Sequence, residues 1–404
     1  MNFLPVNWQD GMKVNKDHFV GTEYALRSEM RHHVYPFLSG ISYGLLPEKV
    51  GKTSLDIYVK LDQSQEMVVS LVHCQAITPA GALVEITHEM QQQEAVRISE
   101  QSLRQMLEQA EKIYIKVELK PNERIPFGDP DPEEDPPRLP HTRPKFQVSP
   151  SHDPQGYEFS LPIACIKNVN GSIELDASYI PPSLTMASCP QLKSHLNQWG
   201  RQLTQLYNNG LHTVARIREY RRKQGGRPAP AEDNRILFDF TEESSPQPSY
   251  TSGNQIFVGN VVEVIVGSML RSLANMIPKF QNMAEFSPPV YTLTLLQEMA
   301  RNMFLSYSVL GVEEKNRLLN YLSEAMEVRD FKDKHLQLIK AKYVHHDIQD
   351  SFEKAAGYMD MLSKLFDQRE GFPSKDFSWT EVTGVFGDMR TRNQTLSVEI
   401  DTLD

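Results

Sequence analysis

The sequence predicts an α+β chain of more than one domain. A sheet-rich front half, folded as an antiparallel sandwich or barrel, precedes a bundle of long helices and a short last segment. Two periodicities predict it: apolar residues alternate with a step of two through the first half, and the step changes to three and four after residue 188. Length is the third observation, since 404 residues can bury two or three cores.

Near its start the chain reads "NWQDGMKVNKDHF", Asn7 to Phe19. Trp8, Met12, His18 and Phe19 are interface-type residues in an otherwise polar arm, and Gly11 marks a turn between them. The arm, residues 1–20, is expected either to staple itself to its own domain or to lie against another protein.

Strands follow. In "SLDIYVKL", Leu55, Ile57, Val59 and Leu61 alternate with polar residues, and "KIYIKVEL" repeats the pattern. "MVVSLVHCQAITPAGALVEI" reads as two strands joined at Pro79–Ala80–Gly81, and "IACIKNVNGSIEL" carries the hairpin signal Asn170–Gly171. Short strands with turns between them and little helix place the sheet domain at residues 21–188. Within it, nine prolines and the acidic residues Asp129, Asp131, Glu133, Glu134 and Asp135 make 121–150 a long extended excursion, either solvated or ordered against a partner.

The helical domain is expected over 189–370. Leu196, Trp199, Leu203, Leu206, Gly210 and Val214 form one apolar stripe, on a helix expected to end near Gly225–Gly226. A second helix is expected over about Gln255–Met283, kinked or ended early by Pro278. A third follows Pro288–Pro289, with Leu295, Met299, Met303 and Leu310 on its stripe. The last carries Ile348, Phe352, Ala355, Met359, Leu362 and Phe366. One-sided stripes must be covered, by neighbouring helices or by another subunit. Leu196, Trp199, Leu203, Leu206, Phe352, Met359, Leu362 and Phe366 are therefore expected at an oligomer interface. Residues 371–404 show no strong period.

Composition narrows the function. A net charge of -10 disfavours binding to nucleic-acid backbones or to anionic lipid. The basic run "RIREYRRK" reads as a solvated helix end. Cys74, Cys165 and Cys189 form no CxxC pair and read as buried thiols of a cytoplasmic protein. No signal peptide and no membrane span are read from the sequence.

Chemistry is sparse. No GxxxxGK[ST], GxGxxG, HExxH or GxSxG motif occurs. Ser151–His152–Asp153 holds triad residue types, but neighbours in sequence rarely converge as nucleophile, base and orienter. His345–His346–Asp347 could supply a metal ligand to a hydrolase, although adjacent helical histidines diverge by about 100°. No catalytic residue, cofactor or metal is expected.

The motifs resemble a known family. Trp8-x-x-Gly11–Met12 followed by His18–Phe19 looks like the N-terminal signature of the TssK family, trimeric baseplate adaptors of type VI secretion systems. "CQAITPAGALVEI", "PKFQNMAEFSPPVYTLTLLQEMARNMF" and "YVHHDIQDSFEKAAGYMDMLSKLF" resemble further parts of the family over about residues 1–370. The wording of Met12–Lys16 looks like the divergent Bacteroidetes branch. The resemblance implies a β-sandwich shell like that of phage receptor-binding proteins, then a trimerising neck. It implies a non-enzymatic homotrimer, cytoplasmic at the inner face of the inner membrane. That trimer would bind the TssG and TssF wedge through its N-terminal part, with Trp8, Gly11, Met12, His18 and Phe19 the partner-binding residues. Family members add a C-terminal head that meets the membrane complex, including TssL and TssM. Thirty-four residues from Gly371 onward are fewer than such a head needs, which leaves contact with TssL and TssM open. The alternative reading is a structural protein of a phage or other contractile tail.

Overall fold

The computed structural model describes residues 4–49, 51–61, 66–87, 95–130, 133, 136, 138–155, 157–170, 172–223, 257–282, 284–312, 315, 316, 318, 319, 322 and 328–366. The fold is α+β, with two antiparallel sheets and long helices. The helices are α1 Lys16–Val34, α2 Glu100–Gln109, α3 Pro190–Lys223, α4 Phe257–Asn282, α5 Pro289–Ser308, α6 Phe331–Ile339 and α7 Ile348–Leu365.

In the first sheet the long strand β3 Glu66–Ile77 is the hub. It pairs with β1 Gly44–Leu45, β2 Leu55–Leu61, β4 Leu83–Ile86 and β5 Ala95–Ser99, all antiparallel. The β3–β4 turn falls where Pro79–Ala80–Gly81 places it, with Gly81 at φ +77°. The second sheet has the order β7 His141–Ser151, β6 Lys112–Phe127, β8 Ser160–Val169, β9 Ser172–Leu175. Asn170 takes φ +52° at the β8–β9 turn; Gly171 is outside the described residues.

Alternation understates how deeply this second sheet is covered. Leu161, Ile163, Ala164, Cys165 and Ile166 are buried in succession along β8, so both faces are packed. On β6 the expected outward residues Tyr114 and Lys116 are buried as well. Tyr114 packs edge-on to Tyr179 in a cluster with Cys165. Lys116 donates to the Gln155 carbonyl at 2.5 Å, with its ammonium over the Tyr157 ring.

The proline-rich excursion is mostly ladder. β6 continues to Phe127 and β7 begins at His141, so much of 121–150 is a long hairpin arm. The register jumps between Lys120 and Arg124, which leaves Pro121, Asn122 and Glu123 as an insertion opposite no partner. Pro121 has no N–H to give a ladder, and Pro144 and Pro150 sit on β7, the outer strand. Asp131, Glu134 and Asp135 are outside the described residues.

The chain divides into two compact units. The first takes Met1–Thr204, Asn275–Ala300 and Asp333–Asp360; the second takes Gln205–Ala274, Arg301–Lys332 and Met361–Asp404. That division does not follow the expected boundary at 188/189, because the first turns of α3 and most of α7 group with the sheets. In the helical part of the first unit Trp199 lies 5.1 Å from Phe352, and His195 packs beside both, tilted to Trp199 and edge-on to Phe352. In the second unit Gly210 lets α3 approach α4; a Cβ there would lie 2.9 Å from Leu270 Cδ2. Asn302 joins α5 to α4, donating to Ser272 Oγ at 3.1 Å and accepting at its carbonyl from Ser268 Oγ at 3.2 Å.

Pro278 neither ends nor shortens α4, which continues to Asn282. The expected end of α3 at Gly225–Gly226 and residues 371–404 lie outside the described residues. No helix among the described residues is long and apolar enough to cross a membrane.

Candidate functional site

The N-terminal arm does not precede all regular structure: His18 and Phe19 belong to the first turn of α1. That helix starts where it does because Asn15 and His18 cap each other. Asn15 Oδ1 accepts from the His18 N–H, and His18 Nδ1 accepts from the Asn15 N–H, both at 3.2 Å. His18 thus has a local structural duty as well as a place on the surface.

Ahead of the cap, Gly11 sits at φ +78° and the Met12 N–H bonds the Gln9 carbonyl at 3.2 Å. This turn folds the arm back, so that the Trp8 ring lies 6.0 Å from His18 and 6.3 Å from Phe19. The structure therefore brings Trp8, His18 and Phe19 together, with Gly11 as the pivot. Trp8 and Phe19 stay exposed; Met12 and His18 are half-buried.

α1 is held to the second sheet by polar contacts. Arg124 on β6 donates to Glu23 at 2.6 Å and lies over the Tyr24 ring at 4.9 Å. The Arg124 hydrogen bond holds the Glu23 carboxyl below the usual carboxylate range, against the opposing effect of burial. Arg31 stacks over Phe159 at 5.5 Å. The face turned inward carries small residues, Gly21, Ala25 and Ser28, of which Ala25 and Ser28 are buried. The large apolar residues Phe19, Leu26 and Met30 face the other way and are exposed. A surface helix ordinarily buries its apolar side. The reversal in α1 leaves large apolar side chains on its outer side. Leu26 and Met30, and Phe37 in the 3-10 turn that follows, were not read as site residues from the sequence. Their spacing from Phe19, in steps of seven and four, was the available signal.

The expected oligomer-interface residues lie elsewhere. Trp199, Leu203, Leu206, Phe352, Met359, Leu362 and Phe366 are buried within one copy, and Leu196 is half-buried. A fully covered side chain cannot reach a second copy, so these seven are core residues. Steps of three and four report that a stripe is covered, not which chain covers it.

The candidate chemical groups are used structurally. The His345 ring is buried, its Nε2 donating to the Tyr43 carbonyl and its Nδ1 accepting from the Tyr343 hydroxyl, both at 2.8 Å. Neither nitrogen is left for a metal. Burial pulls its pKa down to about 4. Asp153 closes a turn: its carboxylate accepts from the Tyr157 hydroxyl and from the Gln155 N–H, and its own N–H donates to Ser151 Oγ at 3.2 Å. Among the described residues no group of three or more His, Cys, Asp or Glu could hold a metal ion. The three cysteines are buried, and burial raises their thiol pKa values to about 12 for Cys74 and about 11 for Cys165 and Cys189.

Residues 129–231 match the family model described as "Bacterial Type VI secretion, VC_A0110, EvfL, ImpJ, VasE". Over that segment the chain is similar to the TssK family that its motifs resemble. No curated protein matches it by sequence. Among solved structures it is similar to a "Crystal structure of TssK" at 14% identity and a TM-score of 0.48, covering 89% of this chain and 69% of that one. It is also similar to the "TssK-TssF-TssG baseplate subcomplex", at 11% identity and a TM-score of 0.45, covering 90% and 99%. A third is "TssK from T6SS EAEC in complex with nanobody nb18", at 13% identity and a TM-score of 0.44, covering 84% and 99%. At these scores the likeness carries no argument about function.

Proposed function

We infer from the type VI secretion family match, and from an N-terminal surface of outward-facing apolar residues, that this chain is a structural component of a type VI secretion baseplate. It binds the TssF–TssG wedge through the arm, in the cytoplasm at the inner face of the membrane. The carrying observation is the Trp8–His18–Phe19 cluster, kept in place by the Gly11 turn and the Asn15 cap, with Trp8 and Phe19 exposed among the described residues. Exposed aromatic and Met side chains fixed in position are what protein interfaces use as anchors. Such a role needs no reacting groups.

The trimeric state rests on the family resemblance. Exposed apolar residues of the second unit include Leu305 near the end of α5, and Val309 and Val312 in the chain that follows it. Buried Trp199 and Phe352 offer no such surface. Contact with TssL and TssM would rest on residues 371–404, outside the described residues.

The test is co-purification with the wedge proteins. Trp8→Ala with Met12→Ala should abolish co-elution while circular dichroism and thermal melting stay those of the parent. Undiminished co-elution of the folded double variant would remove the arm from the interface.

A further inference from the structure

The first sheet has an open edge whose sequence is complementary to itself. On β3, Val69 pairs with Val59 of β2 on one side and with Val96 of β5 on the other, so β2 is the outermost strand on its side. Among the described residues no strand pairs with the outer side of β2. Read from either end, Leu-Asp-Ile-Tyr-Val-Lys-Leu, residues 55–61, sets aliphatic against aliphatic and carboxylate against ammonium about Tyr58. We propose that two copies of this chain pair through β2, antiparallel, about a two-fold axis beside Tyr58, joining their two sheets into one. Asp56 then meets Lys60 of the second copy, Ile57 meets Val59, and Tyr58 meets Tyr58.

The edge is unguarded. Free edges are ordinarily kept short or carry prolines or bulges. The outer strand β7 carries Pro144 and Pro150, and the outer strand β9 has four residues. β2 runs for seven residues without proline, and at the register shift beside Asp56 the extra residue, Val72, is on β3. Its core-facing side is also incompletely covered. Ile57 and Val59 are half-buried, whereas their β3 partners Leu71 and Val69 are buried. One more strand would cover them, and Tyr58 on the other face is 65% exposed.

Charge and register select a second copy as that strand. Free N–H and C=O groups alternate along an edge, so a ladder forms only in every second register. A parallel pair would bring Asp56 beside Asp56 and Lys60 beside Lys60, and like charges opposite one another are destabilising. The antiparallel pair centred on Tyr58 has an Asp56–Lys60 contact on each side of an aromatic pair. Sliding it by two residues sets Tyr58 against Asp56 or against Lys60 and breaks both ion pairs. Neither Asp56 nor Lys60 has an ion-pair partner among the described residues. A foreign strand would require no such palindrome on β2.

A two-fold contact is isologous and closes on itself. It uses none of the residues assigned to the wedge or to three-fold association, and would join one trimer to another.

The test uses the full chain. Lys60→Glu sets carboxylates opposite each other and Asp56→Lys sets ammonium groups opposite each other. Each variant alone should show half the parent's mass by light scattering, with the thermal melt unchanged. Mixing the two variants puts opposite charges together at both ends and should restore the parent's mass. Tyr58→Cys should give, on mild oxidation, a covalent dimer on a denaturing gel; the native cysteines are buried and do not compete. The parent's mass in either folded single variant, no regain of mass on mixing, or no cross-link would overturn the pairing. Wedge binding lost in the single variants with the mass unchanged would assign the edge to a wedge strand, and the inference fails. Trp8→Ala with Met12→Ala should keep the paired mass whatever becomes of its wedge binding, so the two readings fail separately.

Discussion

His345 shows how a residue with catalytic potential is spent on structure. Its ring bridges the Tyr43 carbonyl and the Tyr343 hydroxyl, tying the segment before α7 to the start of the first sheet. Burial is the largest cause of its lowered pKa. The folded value, about 4, lies below the unfolded value near 6.5. The unfolded chain therefore binds this proton between those limits and the folded chain does not. Its contribution is present above pH 6.5 and is lost as pH falls toward 4, with a ceiling of roughly 3 kcal/mol. Denaturant melts across that window should show the parent losing stability on acidification. His345→Gln should be less stable at neutral pH and have a shallower pH slope. Equal slopes would mean that this ring does not titrate as described.

At the scale of elements, α1 is fixed by a few polar contacts rather than by a buried stripe. Its cap therefore matters more than usual. Asn15→Ala removes the acceptor for the His18 N–H and should cost about 1 kcal/mol of local stability. Hydrogen exchange should quicken at the start of α1 and stay unchanged in β3 and β8. Uniform protection throughout would show that packing, not the cap, holds the helix. The same element marks what the sequence hides. β2 and β6 were legible because alternation reports a covered face, β3 and β8 because turn signals close their segments, and α3, α5 and α7 because three-and-four spacing reports a covered stripe. α1 was not, since its apolar residues point outward and so follow a seam's rhythm instead of a core's. α2 is a ten-residue helix with one buried residue, Leu103, too slight a pattern to separate from its neighbours. The proline-rich stretch was read as an excursion because proline opposes ladders; on an outer strand with its N–H side free, proline is tolerated.

At the scale of the molecule, most of the described stripe residues of α3 and α7 are buried inside one copy, so among the described residues an assembly must use what remains exposed. Exposed apolar side chains among the described residues include Leu305, Val309 and Val312 in one unit, and those of the arm and α1 in the other. The account places three-fold association on the first, so Leu305→Glu with Val309→Glu should reduce the scattering mass to one third or less while wedge binding per chain persists. The arm was the part of the candidate site legible in the sequence, because Trp, Met and Phe are rarely placed in a polar leader without a surface to meet. The rest of α1 became visible only once its small residues were seen to face inward. The central claim is that the N-terminal surface is a docking surface for the baseplate wedge. It is tested most directly by co-expressing the chain with the wedge proteins and measuring co-elution for the parent and for Trp8→Ala with Met12→Ala. The account predicts a stable complex with the parent and none with the folded variant; equal complex formation by both would contradict it.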